Sequence, residues 1–118
     1  MTGSTTQGIQ TVLHPVSDLT KAKAVYSALL GVQPQTDGPY YVGFEAAGQH
    51  IGLVPGGGPQ GMTSPVAYWH VADLEAKLAE VTAAGATVKE PAHDVGGGRL
   101  VATVADADGN VLGLLQDR

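Results

Sequence analysis

The sequence contains no cysteine, few basic residues and no long apolar run. Without cysteine, this chain of 118 residues cannot form disulfides, thiolate zinc sites or iron–sulfur clusters, and it has no cysteine nucleophile. Six Lys and Arg residues against eleven Asp and Glu residues give a formal net charge of −5. This balance argues against a nucleic-acid partner, which requires clustered cations. No stretch approaches the roughly 20 apolar residues of a membrane span.

The remaining composition is that of a small globular domain. Hydrophobic residues make up 43% of the chain, which excludes a disordered polymer. The first eight residues are small and polar, without the basic and apolar regions of a signal peptide. We therefore expect a single soluble domain in the cytoplasm, with neither a membrane nor a nucleic acid as its partner.

Two segments of the chain share one pattern of residues. Residues 11–19 read TVLHPVSDL and residues 66–74 read VAYWHVADL, and a helical pattern ending near a glycine follows each of them. Further along each half, GQHIGL at residues 48–53 resembles GNVLGL at residues 109–114. The sequence therefore contains an internal repeat that spans about half the chain.

Each half of the repeat predicts a strand, a helix and then further strands. Asp18 and Asp73 are suited to cap the two helices, because a carboxylate accepts hydrogen bonds from the free amides of the first turn. Gly31 and Gly85 stand where a left-handed residue ends a helix. Short β-prone runs follow, with hairpin signals at residues 47–48 and 108–110.

This order predicts an α+β fold built from two βαβββ modules within a single domain, residues 1–118. Module 1 spans about residues 9–54, a Gly/Pro-rich linker spans residues 55–65, and module 2 spans about residues 66–116. A helix covers only one face of each sheet, so we expect two modules to curve around a common cleft and the protein to form a homodimer. The sequence leaves open whether the modules pair within one chain or swap between two.

Several parts of the sequence resemble the vicinal oxygen chelate superfamily. They are PVSDL at residues 15–19, Tyr26, the Leu30-Gly31 pair and DADGN at residues 106–110. That superfamily includes glyoxalase I, extradiol dioxygenases, fosfomycin-modifying enzymes and bleomycin-binding resistance proteins. The resemblance covers residues 10–116 and implies the two-module fold. Because one fold hosts many functions, it does not by itself imply a reaction.

The resemblance also implies where a divalent metal would bind. The family's enzymes hold the metal with His, Gln or Glu at four repeat-related positions, seven residues before each capping Asp and four residues after each turn glycine. In this sequence the four positions hold Thr11, Gly52, Val66 and Gly113. A divalent site needs three or four converging imidazole or carboxylate groups. We therefore expect neither a metal nor another cofactor.

Strand alternation assigns the remaining side chains to the cleft or to the helices. It places His14 and Trp69 on the helix side and directs His50 and His70 towards the cleft. The ligand contacts predicted in this way are Thr11, Leu13, Tyr40, Phe44, His50, Val66, Tyr68, His70 and Gly113. Further lining is expected from Val54, Val111 and Leu115.

The predicted cleft is aromatic and neutral. Tyr68 and His70 offer ring faces, and the resemblance implies that the position of His70 contacts substrate. Tyr40 or Tyr41 adds an aromatic wall with Phe44, although the turn length leaves open which tyrosine points inward. No Lys or Arg falls inside by alternation. Such a surface suits a flat, uncharged, partly polar molecule, because stacking and apolar burial supply affinity.

These features predict a metal-independent binding protein that sequesters a polycyclic aromatic or enediyne-like antibiotic, as in the drug-binding branch of the superfamily. The alternative is a glyoxalase-like lyase or isomerase. That enzyme would be metal-dependent through non-standard ligands, or metal-free with His70 as general base. A third hypothesis is a structural or regulatory partner domain.

Overall fold

A computed structural model describes residues 5–58 and 61–117. The elements follow the order β1 (Ile9–Val16), α1 (Leu19–Leu30), β2 (Thr36–Asp37), β3 (Val42–Ala46), β4 (Gln49–Pro55), β5 (Val66–His70), α2 (Leu74–Ala83), β6 (Thr87–Asp94), β7 (Arg99–Ala105) and β8 (Val111–Asp117). The pattern βαβββ thus occurs twice, and the fold is α+β, as the sequence predicts. Neither described helix is long and apolar enough to cross a membrane.

The chain divides into two compact units with the same internal plan. The N-terminal unit comprises residues 10–66, and the C-terminal unit comprises, of the described residues, 5–9 and 67–117. In the N-terminal unit the strands lie in the order β2-β3-β4-β1, with β4 parallel to β1 and antiparallel to β3. In the C-terminal unit the order is β5-β8-β7-β6, with β8 parallel to β5 and antiparallel to β7.

The predicted N-caps are present in both helices. An Asp18 carboxylate oxygen accepts from the Lys21 amide at 3.1 Å, and Asp73 accepts from the Ala76 amide at the same distance. Gly31 ends α1 in the left-handed region with φ 74°, as predicted. The second helix differs, since Ala84 caps it in the right-handed region and the left-handed Gly85 follows one residue later.

Tight turns connect the last two strands of each unit, at the places that the sequence indicates. Ala47 and Gly48 join β3 to β4 and both have positive φ, 54° and 75°, as the two-residue turn of a hairpin requires. Between β7 and β8, Asp106 accepts from the amides of Asp108 and Asn110, both at 2.9 Å. The hydrogen bond from the Asn110 side chain is the largest of the causes that lower the pKa of Asp106.

Each helix packs on one face of its own sheet and forms the core there. The N-terminal core centres on Val42, Phe44 and Leu53, and α1 packs against it through Leu19, Ala22, Tyr26 and Leu30. The C-terminal core centres on Val71, Leu74, Ala102 and Leu114, and Trp69 packs against it together with Leu78 and Val81 of α2. The ring of His14 lies 5.2 Å from that of Tyr26, so both His14 and Trp69 are on the helix side, as predicted.

Candidate functional site

The face of the N-terminal sheet that points away from α1 carries one candidate site. In the register of the three strands, Gly52 of β4 lies beside Leu13 of β1 and Gly43 of β3. Two residues before Gly52 in β4, His50 lies beside Thr11 and Glu45. Because alternate residues of a strand share a face, all six lie on the helix-free side. Two directly opposed glycines therefore leave an area of bare backbone at the centre of this face.

The ring of Tyr41 occupies that bare area. A Cβ atom at Gly52 would lie 2.5 Å from the Tyr41 hydroxyl oxygen, 2.8 Å from Tyr41 Cε1 and 2.5 Å from Leu13 Cδ2. A Cβ atom at Gly43 would lie 3.0 Å from Tyr41 Cε2 and 3.1 Å from His50 Cε1. Any side chain at these two positions would compete with the ring for space. The glycines are therefore what allows the phenol to lie flat across the strands.

A chain of hydrogen bonds runs from the phenol to the surface. The Tyr41 hydroxyl is 2.5 Å from His50 Nε2, and His50 Nδ1 is 3.2 Å from Glu45 Oε2. The tyrosine and histidine rings are nearly parallel, with an interplanar angle of 14°. The side chain of Glu45 is 52% exposed and that of His50 is 19% exposed. The carboxylate end of this hydrogen-bond chain is thus more exposed to solvent than the imidazole.

The partners decide which nitrogen of neutral His50 carries the proton. A carboxylate can only accept hydrogen bonds, so Nδ1 must donate to Glu45. Nε2 is then the acceptor, and the Tyr41 hydroxyl donates to it. The order of carboxylate, imidazole and hydroxyl is that of an activated hydroxyl group, in which a carboxylate orients a histidine that in turn accepts a proton.

The C-terminal unit carries a second candidate site of its own. Gly113 of β8 lies beside Tyr68 of β5 and Thr103 of β7. A Cβ atom at Gly113 would lie 2.5 Å from Tyr68 Cδ2 and 2.7 Å from Tyr68 Cγ, so the tyrosine ring lies directly on the glycine backbone. Tyr68 and Thr103 are buried. The C-terminal unit therefore repeats the arrangement of a tyrosine ring on a strand glycine.

His70 ends β5 on the same face as Tyr68. Its backbone amide donates to Gly8 O at 2.9 Å, and its carbonyl accepts from the Gln7 amide at 2.8 Å and from the Thr6 hydroxyl at 2.9 Å. Its neighbour in the register is Leu115, which is buried. His70 as a whole residue is 8% exposed and therefore lies in a largely dry environment.

The structure separates the predicted contacts into two groups. Seven of them alternate onto the helix-free faces of the sheets. One set lies on β1 and β4 and comprises Thr11, Leu13 and His50, and the other lies on β5 and β8 and comprises Val66, Tyr68, His70 and Gly113. Phe44 instead is completely buried in the N-terminal core, where packing accounts for its ring, and Tyr40 is 84% exposed. Of the two adjacent tyrosines, Tyr41 is the one that reaches Gly52. The roles of all these residues in ligand contact stay predictions.

Glu45 was not among the residues predicted for this site. The signal was available, since Glu45 alternates with Gly43 and pairs with His50 once the hairpin turn is fixed at residues 47–48. The strand phase around Tyr40 and Tyr41 offered no such signal. The preceding strand has only two residues, and the Gly38 amide donates to the Tyr41 carbonyl in a turn whose length the sequence left open.

The donor set does not fit a divalent metal at the positions that the resemblance implies. Thr11 offers at most a hydroxyl, Val66 offers no donor, and at Gly52 and Gly113 the space for a ligating side chain is filled by tyrosine rings. Within residues 5–58 and 61–117, no three His, Asp or Glu side chains come together as metal ligands would. We derive no chemistry through a metal at these positions.

A family profile matches residues 8–114, nearly the whole chain, and its family is the Glyoxalase/Bleomycin resistance protein/Dioxygenase superfamily. The chain belongs to this superfamily. The two βαβββ units, with parallel pairing of the first and last strand in each, form the corresponding fold. Membership establishes the family and leaves the reaction open. No curated protein matches the chain at a significant level.

Solved structures show the same fold at low sequence identity. A structure described as an NAD-dependent benzaldehyde dehydrogenase from Legionella pneumophila has a TM-score of 0.73 and 18% identity, covering 92% of this chain and 98% of that one. Methylmalonyl-CoA epimerase from Mycobacterium tuberculosis has a TM-score of 0.73 and 18% identity, covering 100% and 93%. The Mn(II)-bound glyoxalase from Novosphingobium aromaticivorans has a TM-score of 0.72 and 20% identity, covering 95% of this chain but 39% of that one.

Proposed function

We propose that the protein binds a flat, uncharged aromatic molecule without a metal and protects against it by sequestration. The observation that carries this proposal is the pair of tyrosine rings lying on Gly52 and Gly113. These are two of the positions at which the superfamily's enzymes are expected to carry metal ligands. Replacing imidazole or carboxylate groups by aromatic rings removes the donors and makes these positions apolar and aromatic.

The charges of the described residues support a neutral ligand. Lys23 pairs with Asp37 at 3.0 Å on the helix side of the N-terminal unit, and Arg99 pairs with Asp117 at 2.7 Å at the strand ends of the C-terminal unit. Lys77 pairs with Glu80 on α2. Each of these cations therefore already has a carboxylate partner. The Arg99–Asp117 pair lies on the same face of its sheet as Gly113, so the expectation that no Lys or Arg falls on that face is wrong. The best match in chemistry is a polycyclic or enediyne-like antibiotic, bound in the cleft of a cytoplasmic homodimer.

Calorimetric titration of the untagged, chelator-treated protein tests this proposal. The panel would contain neutral polycyclic quinones, an enediyne chromophore and, for contrast, cationic bleomycin. We expect binding of planar neutral rings with a stoichiometry of one per site, and a loss of affinity of at least tenfold in Tyr68→Ala. The matched control is Leu29→Ala, which removes a large exposed side chain from α1 and should leave affinity unchanged. Failure of every neutral ring to bind would contradict the proposal.

A second candidate is a metal-free lyase or isomerase with His70 as general base. The observation in its favour is an imidazole held in a dry environment beside the Tyr68 strand position. Among the similar structures, one is described as a methylmalonyl-CoA epimerase and another as a Mn(II)-bound glyoxalase, at identities that show only the fold. Turnover of a metabolite by the chelator-treated protein would favour this candidate over sequestration if the turnover is lost in His70→Gln.

A further inference from the structure

The hydrogen-bond chain Tyr41–His50–Glu45 is more elaborate than a stacking surface requires. A phenylalanine at position 41 would keep the ring carbons over Gly43 and Gly52 and lose only the hydroxyl. The phenol instead directs its hydroxyl to His50 Nε2 at 2.5 Å, and Glu45 holds the opposite nitrogen at 3.2 Å. Two glycines and one hairpin register combine to keep this geometry. Such a chain suits a group that gives up and regains a proton.

We propose that Tyr41 is a proton-transferring group that His50 and Glu45 activate, and that it bonds the acidic hydroxyl of a phenolic or enolic ligand. The phenolic proton passes from Tyr41 Oη to His50 Nε2. The imidazolium so formed is held at Nδ1 by the Glu45 carboxylate. The phenolate oxygen then accepts a proton from the ligand hydroxyl, which leaves a ligand oxyanion hydrogen-bonded to neutral Tyr41. No atom, electron or metal is needed beyond these groups.

This inference deepens the proposed function and rests on it for the ligand, since it adds a polar anchor to the same aromatic site. The activation of Tyr41 depends only on residues of this protein and does not require a ligand. It depends on Glu45, which is 52% exposed, and on His50, which is 19% exposed, so protons can exchange with water at the carboxylate end. The two parts can therefore be tested separately.

The adjacent tyrosine supplies a control for activation within the same molecule. Tyr40 is 84% exposed, whereas Tyr41 is partly buried. Methanesulfonyl fluoride forms an O–S bond with a phenolate and releases fluoride, while the phenolic proton goes to the base. Accessibility alone predicts faster labelling of Tyr40, and activation by His50 predicts faster labelling of Tyr41.

The experiment measures the labelling rate of each tyrosine in the full chain by peptide mass spectrometry at neutral pH. We expect Tyr41 to react faster than Tyr40 and to slow at least tenfold in His50→Gln, with Tyr40 unchanged. Glu45→Gln, a change at an exposed residue, should slow Tyr41 several-fold in a protein whose circular dichroism is that of the wild type. Slower labelling of Tyr41 than of Tyr40, or a rate that neither variant changes, would overturn the activation.

The ligand class is tested with 4-nitrophenol and its methyl ether, 4-nitroanisole, which have the same ring but differ in the hydroxyl. We expect the protein to bind 4-nitrophenol at least tenfold more tightly and Tyr41→Phe to abolish that preference. Equal binding, absent binding of both, or a preference that survives Tyr41→Phe would overturn the assignment of a hydroxyl ligand. The proposed function would stand if larger neutral rings still bind, so the two failures are distinguishable.

Discussion

Gly52 and Gly113 hold corresponding positions in the two halves of the repeat, and each lies beneath a tyrosine ring. In the N-terminal unit the ring comes from Tyr41, just before the antiparallel neighbour β3, and its hydroxyl end lies over the glycine. In the C-terminal unit the ring comes from Tyr68 on the parallel neighbour β5, and the root of the ring lies over the glycine. The repeat thus preserves the space above the strand, while the side chain that uses the space differs.

The surroundings of the two rings differ in polarity as well. His50 pairs with Glu45 across β4 and β3, and the corresponding pair across β8 and β7 is Val111 with Ala105. The same register that builds a hydrogen-bond chain in one unit builds an apolar contact in the other. Corresponding positions of the two units thus hold a hydrogen-bonded polar pair in one and an apolar pair in the other.

The largest expected effect is that of Gly113→Ala on stability. The new Cβ would lie 2.7 Å from Tyr68 Cγ, and an atom at the root of a buried ring cannot move away without a shift of the strand. Overpacking of this kind costs about 3 kcal/mol in the free energy of unfolding. Denaturant unfolding measures it. In a Tyr68→Ala background the same substitution should cost less than about 1 kcal/mol, and equal costs in both backgrounds would contradict the close contact.

Gly52→Ala should destabilise the protein less and affect the hydrogen-bond chain more. Here the atoms in the way are the Tyr41 hydroxyl and Leu13 Cδ2, both at the ends of side chains that can turn aside. We expect a loss of about 1–2 kcal/mol in the free energy of unfolding. Loss of the Tyr41–His50 hydrogen bond should appear as a change in the side-chain ¹⁵N shifts of His50. Unchanged shifts, or a cost as large as that of Gly113→Ala, would remove the distinction between the two units.

The smallest effect concerns the helix side, where His14 and Trp69 hold corresponding positions. Burial lowers the pKa of His14 from its ordinary value of 6.5. The unfolded chain then binds more protons near that pH, so stability is fully present above pH 6.5 and falls as the pH drops towards the lowered pKa. His14→Phe should remove this part of the pH dependence, since phenylalanine, like Trp69, does not titrate. Unfolding curves between pH 5 and pH 8 that retain the wild-type slope in His14→Phe would contradict it.

Much of the fold follows from local chemistry that the sequence displays. Asp18 and Asp73 cap helices, the turn at residues 47–48 fixes the register of β3 and β4, and alternation places His14 and Trp69 on the helix side. These outcomes depend on neighbours in sequence or on a repeat of two residues. For the same reason, the helix-free faces could be assigned wherever a strand has a clear phase.

The candidate site is less predictable because its central contacts cross strands. Strand pairing decides that Tyr41 lies on Gly52 and that Tyr68 lies on Gly113. The direction of each tyrosine side chain relative to its strand also decides these contacts. Tyrosine rings fill the space directly above the two glycines, which neither glycine signals in the sequence. Tyr40 and Phe44 illustrate the same limit, since an irregular turn at residues 38–41 sets the phase of β3.

The proposed binding of a ligand without a metal rests on Gly52 and Gly113, two of the four expected donor positions, where tyrosine rings fill the space. Calorimetric titration of chelator-treated protein with a neutral polycyclic quinone, repeated after addition of Zn²⁺, Mn²⁺ or Ni²⁺, tests it most directly. We predict the same affinity with and without each ion, and no ion retained after dialysis. Stoichiometric retention of an ion, with ligand binding only in its presence, would contradict the claim.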